Sequence, residues 1–320
     1  MLRYIGRRLL QLIPVIILIS ILIFTIVKAT PGDPVGSNLD PRATAEQRQA
    51  ERARLGLDKP IPVQYWNWIT RSVQGDFGDS YIYKRPVIEV IPDFIKNSMI
   101  LNIFVYIFAF LVSIPIGIIT AVRQYSKTDN FFSAFSIIGI SMPTFFFGLL
   151  LIYFFGVKNQ WFPISGMETV GKNIEGLAHV KDVLNHIALP GIVLIIANLA
   201  SLVRYTRTSM LEVINQDYIR TARSKGLEEK VVIYKHAFRN ALIPIITIVG
   251  FTIPSLFSGA VMLETVFNWP GIGRVLVDAV NLRDYNLLMA LNMFFAILTL
   301  LGNLLADIGY ALVDPRIRVD

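Results

Sequence analysis

His179, His186 and His236 are the chain's only imidazoles and cysteine is absent, so the usual acid–base and metal-binding side chains are scarce. Without cysteine there is no disulfide and no thiolate-held metal. The histidines form no H-E-x-x-H pair, the arrangement that places two imidazoles on one helix face around zinc. No G-x-x-x-x-G-K-[ST] run occurs either, so the chain has no loop of its own to cradle ATP phosphates. The long apolar runs contain no acid and no histidine, which removes the Ser/His pair or paired aspartates of a membrane-embedded hydrolase. No residue is therefore assigned a catalytic, cofactor-binding or metal-ligating role, and the reading points away from an enzyme. Energy for any work must come from a partner.

One charged island stands out instead. Asp217 to Arg239, DYIRTARSKGLEEKVVIYKHAFR, lies between two apolar runs. From Arg204 to Arg239 the basic residues are 204, 207, 220, 223, 225, 230, 235 and 239, against acids at 212, 217, 228 and 229. That excess places the segment on the cytoplasmic side of a membrane. Asp217 to Ser224 has no helix breaker and suits two helical turns, with Asp217 near the start and Arg220, Arg223 and Lys225 further along, complementing the helix dipole. Gly226 fits the left-handed position after such a helix, and Leu227 is placed to close a Schellman end. Tyr218 and Ala222, four apart, set an aromatic knob beside a small residue on one face. A charged run is ordinarily a solvated loop; the knob, the small residue, the stop glycine and the flanking runs together argue for a handle gripped by a cytoplasmic partner.

The elements that must hold this handle follow from composition. The 320 residues are 54% hydrophobic and 17% charged, with mean hydropathy +0.55, which is an integral membrane composition. Six uncharged runs occur: Leu9 to Val27, Asn97 to Val122, Asn130 to Val157, Ile187 to Val203, Asn240 to Leu263 and Tyr285 to Ala306. Each approaches or exceeds the ~20 residues a spanning helix needs, and none alternates as a barrel strand would. The first run follows Arg3, Arg7 and Arg8 like a signal peptide, yet it is too long for one and lacks a small-x-small cleavage site, so it is read as a retained anchor. The expected division is a cytoplasmic N-terminus 1–8, a first span 9–29, an extracellular segment 30–96 and a core 97–320 that includes the cytoplasmic loop 204–239. Basic residues at 123, 127, 316 and 318 also fall inside, so both termini are cytoplasmic. The net charge of +7 is a topology signal and gives no sign of nucleic acid.

The outward segment 30–96 is long enough to fold into a small helical cap. Thr44 with Gln47 fits a capping box, Glu46 to Leu55 is rich in helix formers, and Gly56 can end the helix. After Pro60 and Pro62, the aromatics of Val63 to Ile69 suit the headgroup level, as a membrane anchor or a receiving surface for an extracellular partner. Gly75 to Ser80, GDFGDS, reads as a turn without a ligand. Polar groups inside the runs are amides and hydroxyls, which mostly serve as interhelical hydrogen bonds; Asn102, Ser136, Asn198, Ser201 and Asn292 are the candidates for lining a path. Absence of ionisable groups at membrane depth speaks against ion-coupled transport. Asp307 reads as an interfacial acid, and Pro14, Pro115, Pro143, Pro190, Pro244 and Pro254 as kinks.

Ala222, three residues and then Gly226 resemble the EAA loop of binding-protein-dependent ABC transporter permeases. The resemblance is to the dipeptide/oligopeptide family, on the subunit type with a large external segment, and covers nearly the whole chain. It rests on Pro31-Gly32-Asp33-Pro34, GDFGDS, Ser141-Met142-Pro143, Leu189-Pro190-Gly191, Arg204 to Val213, Asp217 to Leu227, Glu264 to Gly273 (ETVFNWPGIG), Arg283-Asp284-Tyr285 and Asp314-Pro315-Arg316. Arg220 and Thr221 replace the leading Glu-Ala, and His236 to Arg239 stands where the broad pattern has Ile-x-Leu-Pro. The resemblance implies an all-α, six-span, type I importer fold in the cell membrane. It implies a second homologous permease, two cytoplasmic ABC ATPases and an extracellular solute-binding protein as partners, with ATP and magnesium used by the ATPases and no cofactor bound by this chain. Asp217, Tyr218, Arg220, Ala222, Arg223, Lys225 and Gly226 would then lie on the coupling helix that docks in an ATPase groove, and the cargo would be peptides. A stand-alone channel or secondary carrier, or a membrane scaffold, are the alternatives in which the island merely sets orientation.

Overall fold

The computed structural model describes residues 2–30, 43–54, 56–171 and 175–313. The Pro31 to Pro34 motif, Leu55, Asp314-Pro315-Arg316, Arg318 and the side chains of Arg3 and Asp307 lie outside the described residues. Chains this apolar satisfy their backbone groups within helices, and among the described residues there is no strand beyond one isolated bridge between Asp79 and Pro86.

Among the described residues five helical stretches are long and apolar enough to cross a membrane: Gly6–Ala29, Val87–Val122, Gly176–Ile214, Pro244–Val266 and Tyr285–Leu305. The first lies in α1 (Leu2–Ala29), which carries Pro14 in its interior. The remaining apolar run, Asn130 to Val157, is bent. α5 (Lys127–Ser141) and α6 (Thr144–Leu151), the latter continued by a π-helical stretch Ile152–Lys158, meet at 99°. The cause is local: Met142 precedes Pro143, whose ring expels its neighbour from helical geometry, and Met142 has ψ 126°.

Two helices greatly exceed their uncharged runs. α4 (Val87–Val122) starts well before Asn97, so the expected boundary at residue 96 falls inside a helix. α7 (Gly176–Ile214) has 39 residues and takes in His179, His186 and the stretch from Arg204, so the charged connector proper begins only at Asn215. Charged turns continue both helices, and even Pro92 does not end α4, so a search for uncharged runs cannot see the extension. α4 and α7 cross closely at Gly117, where a Cβ would stand 2.5 Å from Thr206 Cβ.

The cap is built as its sequence suggests. In α2 (Ala45–Arg54) the Thr44 N–H donates to Gln47 Oε1 at 2.9 Å and the Gln47 N–H to Thr44 Oγ1 at 3.2 Å, a closed capping box. Its end is a full Schellman motif: Gly56 has φ +67°, its N–H bonds Ala53 O at 3.0 Å, and the Leu57 N–H bonds Arg52 O at 2.9 Å. α3 (Ile61–Val73) lays Tyr65 and Trp68 on Phe24 of α1, with ring centroids 5.5 and 5.7 Å apart, while Trp66 faces outward.

After α7 come α8 (Asp217–Ser224), a helical turn with a π-helical stretch Val232–Ala237, then α9 (Phe238–Ser258), α10 (Val261–Val266), α11 (Ile272–Asn281) and α12 (Tyr285–Val313). The core divides between two ends of the bundle. At the cap end Val87, Val90 and Ile91 of α4 pack on Ile272, Val275 and Leu287. At the island end Ile118 and Ala121 of the same helix pack on Ile219, Ala222 and Val232.

Candidate partner-docking site

α8 follows α7 after only Asn215 and Gln216, and it is held by one face. Ile219 is fully buried and Ala222 nearly so, against Ile118, Ala121, Met210 and Val232. The opposite face is free: Asp217, Tyr218, Arg220 and Lys225 are exposed. This corrects one expectation, because Tyr218 and Ala222 are not companions on a single open face. The end of α4 and the Val232–Ala237 stretch cover the Ile219/Ala222 side, so Ala222 is an anchor and Tyr218, 46% exposed, is the knob.

Gly226 has φ +74°, and a Cβ there would meet nothing within 4 Å. Backbone conformation alone demands glycine at this point, not crowding. The expected Schellman closure is half made. The Gly226 N–H bonds Arg223 O at 2.9 Å, but among the described residues Leu227 makes no matching bond, and its side chain stays exposed.

The island's charges pair among themselves in solvent. Arg223 grips Glu229 with two bonds, 2.8 and 3.2 Å, and that hydrogen bonding holds the Glu229 carboxyl below its ordinary range. Arg220 stands 3.6 Å from Asp217. Nearby is a stronger pair the sequence did not disclose: Arg207 of α7 donates Nε and Nη2 to Asp129 of α5 at 2.7 and 2.9 Å, with the Asp129 side chain only 3% exposed. The Tyr125 N–H also bonds Asp129 at 2.9 Å, so the turn between α4 and α5 is tied to α7.

Two further acids at the cap end were missed as structural centres. Glu264 is wholly buried and accepts from Ser98 Oγ at 2.7 Å and from the N–H groups of Ala260, Gly273 and Arg274 at 3.1, 2.8 and 3.2 Å. Glycine at 259, 271 and 273 is what lets the backbone crowd this carboxylate: a Cβ at Gly259 would lie 2.7 Å from Oε1, one at Gly273 2.9 Å from Oε2, and one at Gly271 closer still. Asp284 is also wholly buried and accepts from Ser80 Oγ at 2.6 Å and from the Ile82 and Leu287 N–H groups at 3.1 and 3.2 Å. GDFGDS therefore docks on the start of α12. Asn286 completes the contact through Asp79 O at 2.9 Å. For Glu264 the available signal was an acid near several glycines just outside an apolar run.

The five path candidates sit on four helices, Asn102 on α4, Ser136 on α5, Asn198 and Ser201 on α7 and Asn292 on α12. Asn102 donates to Ser255 O and Leu256 O at 3.0 and 3.2 Å, serving carbonyls that the end of α9 leaves open. Ser136 is buried, and Asn198 and Asn292 bond their own helices at Leu194 O and Leu288 O, both at 2.8 Å. Ser201 is half-buried. Among the described residues no group of three or more histidine, aspartate or glutamate side chains gathers as a metal site.

Comparison with known proteins agrees with this multi-pass architecture. The model of the binding-protein-dependent transport system inner membrane component matches residues 113–319, and its N-terminal companion matches residues 1–115. The oligopeptide transport system permease protein AppB of Bacillus subtilis is 46% identical over 316 residues, 98% of this chain and 99% of its own length. A putative peptide permease of Brucella ovis is 41% identical over 322 residues, spanning 100% of both chains. The glutathione transport system permease protein GsiC of Salmonella typhimurium is 40% identical over 318 residues, 99% of each. With both family models covering it end to end and full-length relatives at this identity, the chain belongs to the inner membrane components of binding-protein-dependent transport systems.

Proposed function

We propose that the chain is one permease subunit of an ABC importer for peptides and forms half of the path across the cell membrane. In this reading α8 faces the cytoplasm, both termini lie inside, and segment 30–96 is the external cap. A second, homologous permease completes the path. An extracellular solute-binding protein delivers cargo, and two ATPases supply energy through ATP and magnesium that this chain does not bind. The observation that carries the reading is α8 itself: a two-turn helix fastened by Ile219 and Ala222, with Tyr218, Arg220 and Lys225 presented outward and Gly226 ending it at φ +74°. Closure of the ATPases would draw α8, and α7 behind it, from an inward-open to an outward-open arrangement; ATP drives this by binding the closed state more tightly. Names of the similar permeases support peptides as cargo, with glutathione within the same chemical class. Asn102, Ser136, Asn198, Ser201 and Asn292 remain the proposed neutral lining.

The test is co-purification of the tagged chain from its host in mild detergent, alongside Gly226→Val and Gly226→Asn. Valine resists positive φ, whereas asparagine tolerates it. The expected result is recovery of a second permease and ATPases with the parent chain and with Gly226→Asn, and loss of the ATPases with Gly226→Val while the chain stays inserted. ATPase binding and uptake unchanged by valine would defeat the docking assignment.

A further inference from the structure

The island end of the bundle has a groove of about 340 Å³ that the outward face of α8 leaves unused, between the last turn of α4 and residues 229–234 of the helical stretch that follows α8. Ile118, Ile119 and Val122 form one wall, Ile233 and Tyr234 the other. α4 runs without a charge from Asn97 to its last residue, Val122, and Arg123 is the first charge to follow. That uncharged length of ~39 Å fills the ~30 Å of hydrocarbon and reaches beyond it. The groove therefore lies at headgroup depth, where an apolar span gives way to polar chain.

Its rim is basic. Arg123 and Lys230 both line the groove and are exposed, and among the described residues neither pairs with a carboxylate. Glu229, the acid in the lining, has both carboxylate oxygens engaged by Arg223, so its charge is already matched. Two cations are left facing solvent or a ligand. The apolar wall is open as well: Ile119, Val122 and Tyr234 are exposed, and the tyrosine carries a hydroxyl on an aromatic ring, a pairing suited to the membrane interface. Positive charge at the rim and bare hydrocarbon beside it fit an amphiphile with an anionic head.

We propose that this groove binds an anionic phospholipid: Arg123 and Lys230 hold its phosphate, the Tyr234 hydroxyl donates to a headgroup oxygen, and the first part of an acyl chain lies on Ile119 and Val122. In the orientation proposed above for α8 the groove opens on the cytoplasmic leaflet, where basic residues beside a span attract acidic lipids. Free phosphate would meet the two cations but leave the apolar wall bare. Bound there, the lipid ties the end of α4 to the residues that pack on Ile219 and Ala222, and so braces the seat of α8.

The test is native mass spectrometry of the delipidated full-length chain in detergent, titrated in parallel with dioleoyl phosphatidylglycerol, dioleoyl phosphatidylcholine, dioleoylglycerol and inorganic phosphate. Titrating the isolated chain makes the result independent of ATPase docking. The expected result is one saturable phosphatidylglycerol adduct, about fivefold or more tighter than the phosphatidylcholine one, that dioleoylglycerol and millimolar phosphate neither reproduce nor displace. Arg123→Gln and Lys230→Gln should each weaken it about fivefold, the scale for one basic residue at an acidic membrane surface. Arg123→Lys and Lys230→Arg keep the charge and should hold the lipid, which separates lost charge from a folding defect. Lys96→Gln, in the apolar groove at the cap end, should change nothing. Parent-like binding by both glutamine variants, or an equally tight phosphatidylcholine adduct, would overturn the site; displacement by inorganic phosphate would overturn its assignment to lipid. In the complex recovered with its ATPases the adduct should persist, and its loss there would give the groove to a protein interface instead.

Discussion

At the island end Arg223 and Glu229 meet at 2.8 Å with side chains 40% and 57% exposed, whereas at the cap end Glu264 and Asp284 have no exposed surface and are held by main-chain N–H groups. Both are arrangements of acids near helix ends, and their energetics differ in kind. A solvent-facing pair contributes ~0–1 kcal/mol and re-forms readily with another partner. A buried carboxylate fixes every donor around it, because losing it strands them all. The contrast suggests a division of labour, with the cap end kept rigid and the island end left able to exchange its contacts.

The largest test of that contrast is Glu264→Ala. It strands Ser98 Oγ and three N–H groups, at about 1–3 kcal/mol each before relaxation. The folded protein should fail to accumulate, measured by size-exclusion of a fluorescent fusion; a parent-like profile would break the comparison at its strongest point. Asp284→Ala comes next, since three donors lose their acceptor and GDFGDS loses its hold on α12. A loss of about 2–4 kcal/mol and a clearly lowered melting temperature are expected. Gly226→Val follows, with about 1–2 kcal/mol of local backbone strain and no steric clash. Thermal stability should change little while partner binding disappears.

The smallest effect belongs to Arg223→Ala, at no more than ~1 kcal/mol. Its pH signature is more diagnostic than its size. Glu229 is held below its ordinary value of 4.5, so the unfolded chain takes up the proton first on acidification. The pair's contribution is therefore complete above about pH 4.5 and is lost as pH falls through the lowered folded value. Melting curves between pH 6 and 3 should show the gap between parent and Arg223→Ala narrowing toward the acid end. A constant gap would mean the pair is not what Arg223 contributes.

Local features were legible in the sequence and long-range ones were not. The Thr44–Gln47 box, the stops at Gly56 and Gly226 and the extent of α8 depend on residues a few positions apart, so spacing alone reveals them. Ser98 and Glu264 are 166 residues apart, and nothing in either neighbourhood names the other. Arg207, 78 residues from Asp129, was visible only as an orientation charge, and nothing pointed to its partner. Whether Tyr218 or Ala222 would be exposed depended on which neighbours cover α8, a tertiary fact. The bend at Met142 was foreshadowed by Pro143, but its 99° is set by what α5 and α6 pack against.

α7 has a mechanical consequence. Its 39 residues make a rod about 58 Å long, nearly twice the ~30 Å of hydrocarbon it crosses. Only Pro190 interrupts its hydrogen-bond ladder, and α8 hangs from its end by two residues. Such a rod acts as a lever: pivoted near one end, a swing of about 10° carries the other through about 10 Å. Small tilts about the rigid cap end are thereby enlarged into a stroke at the island.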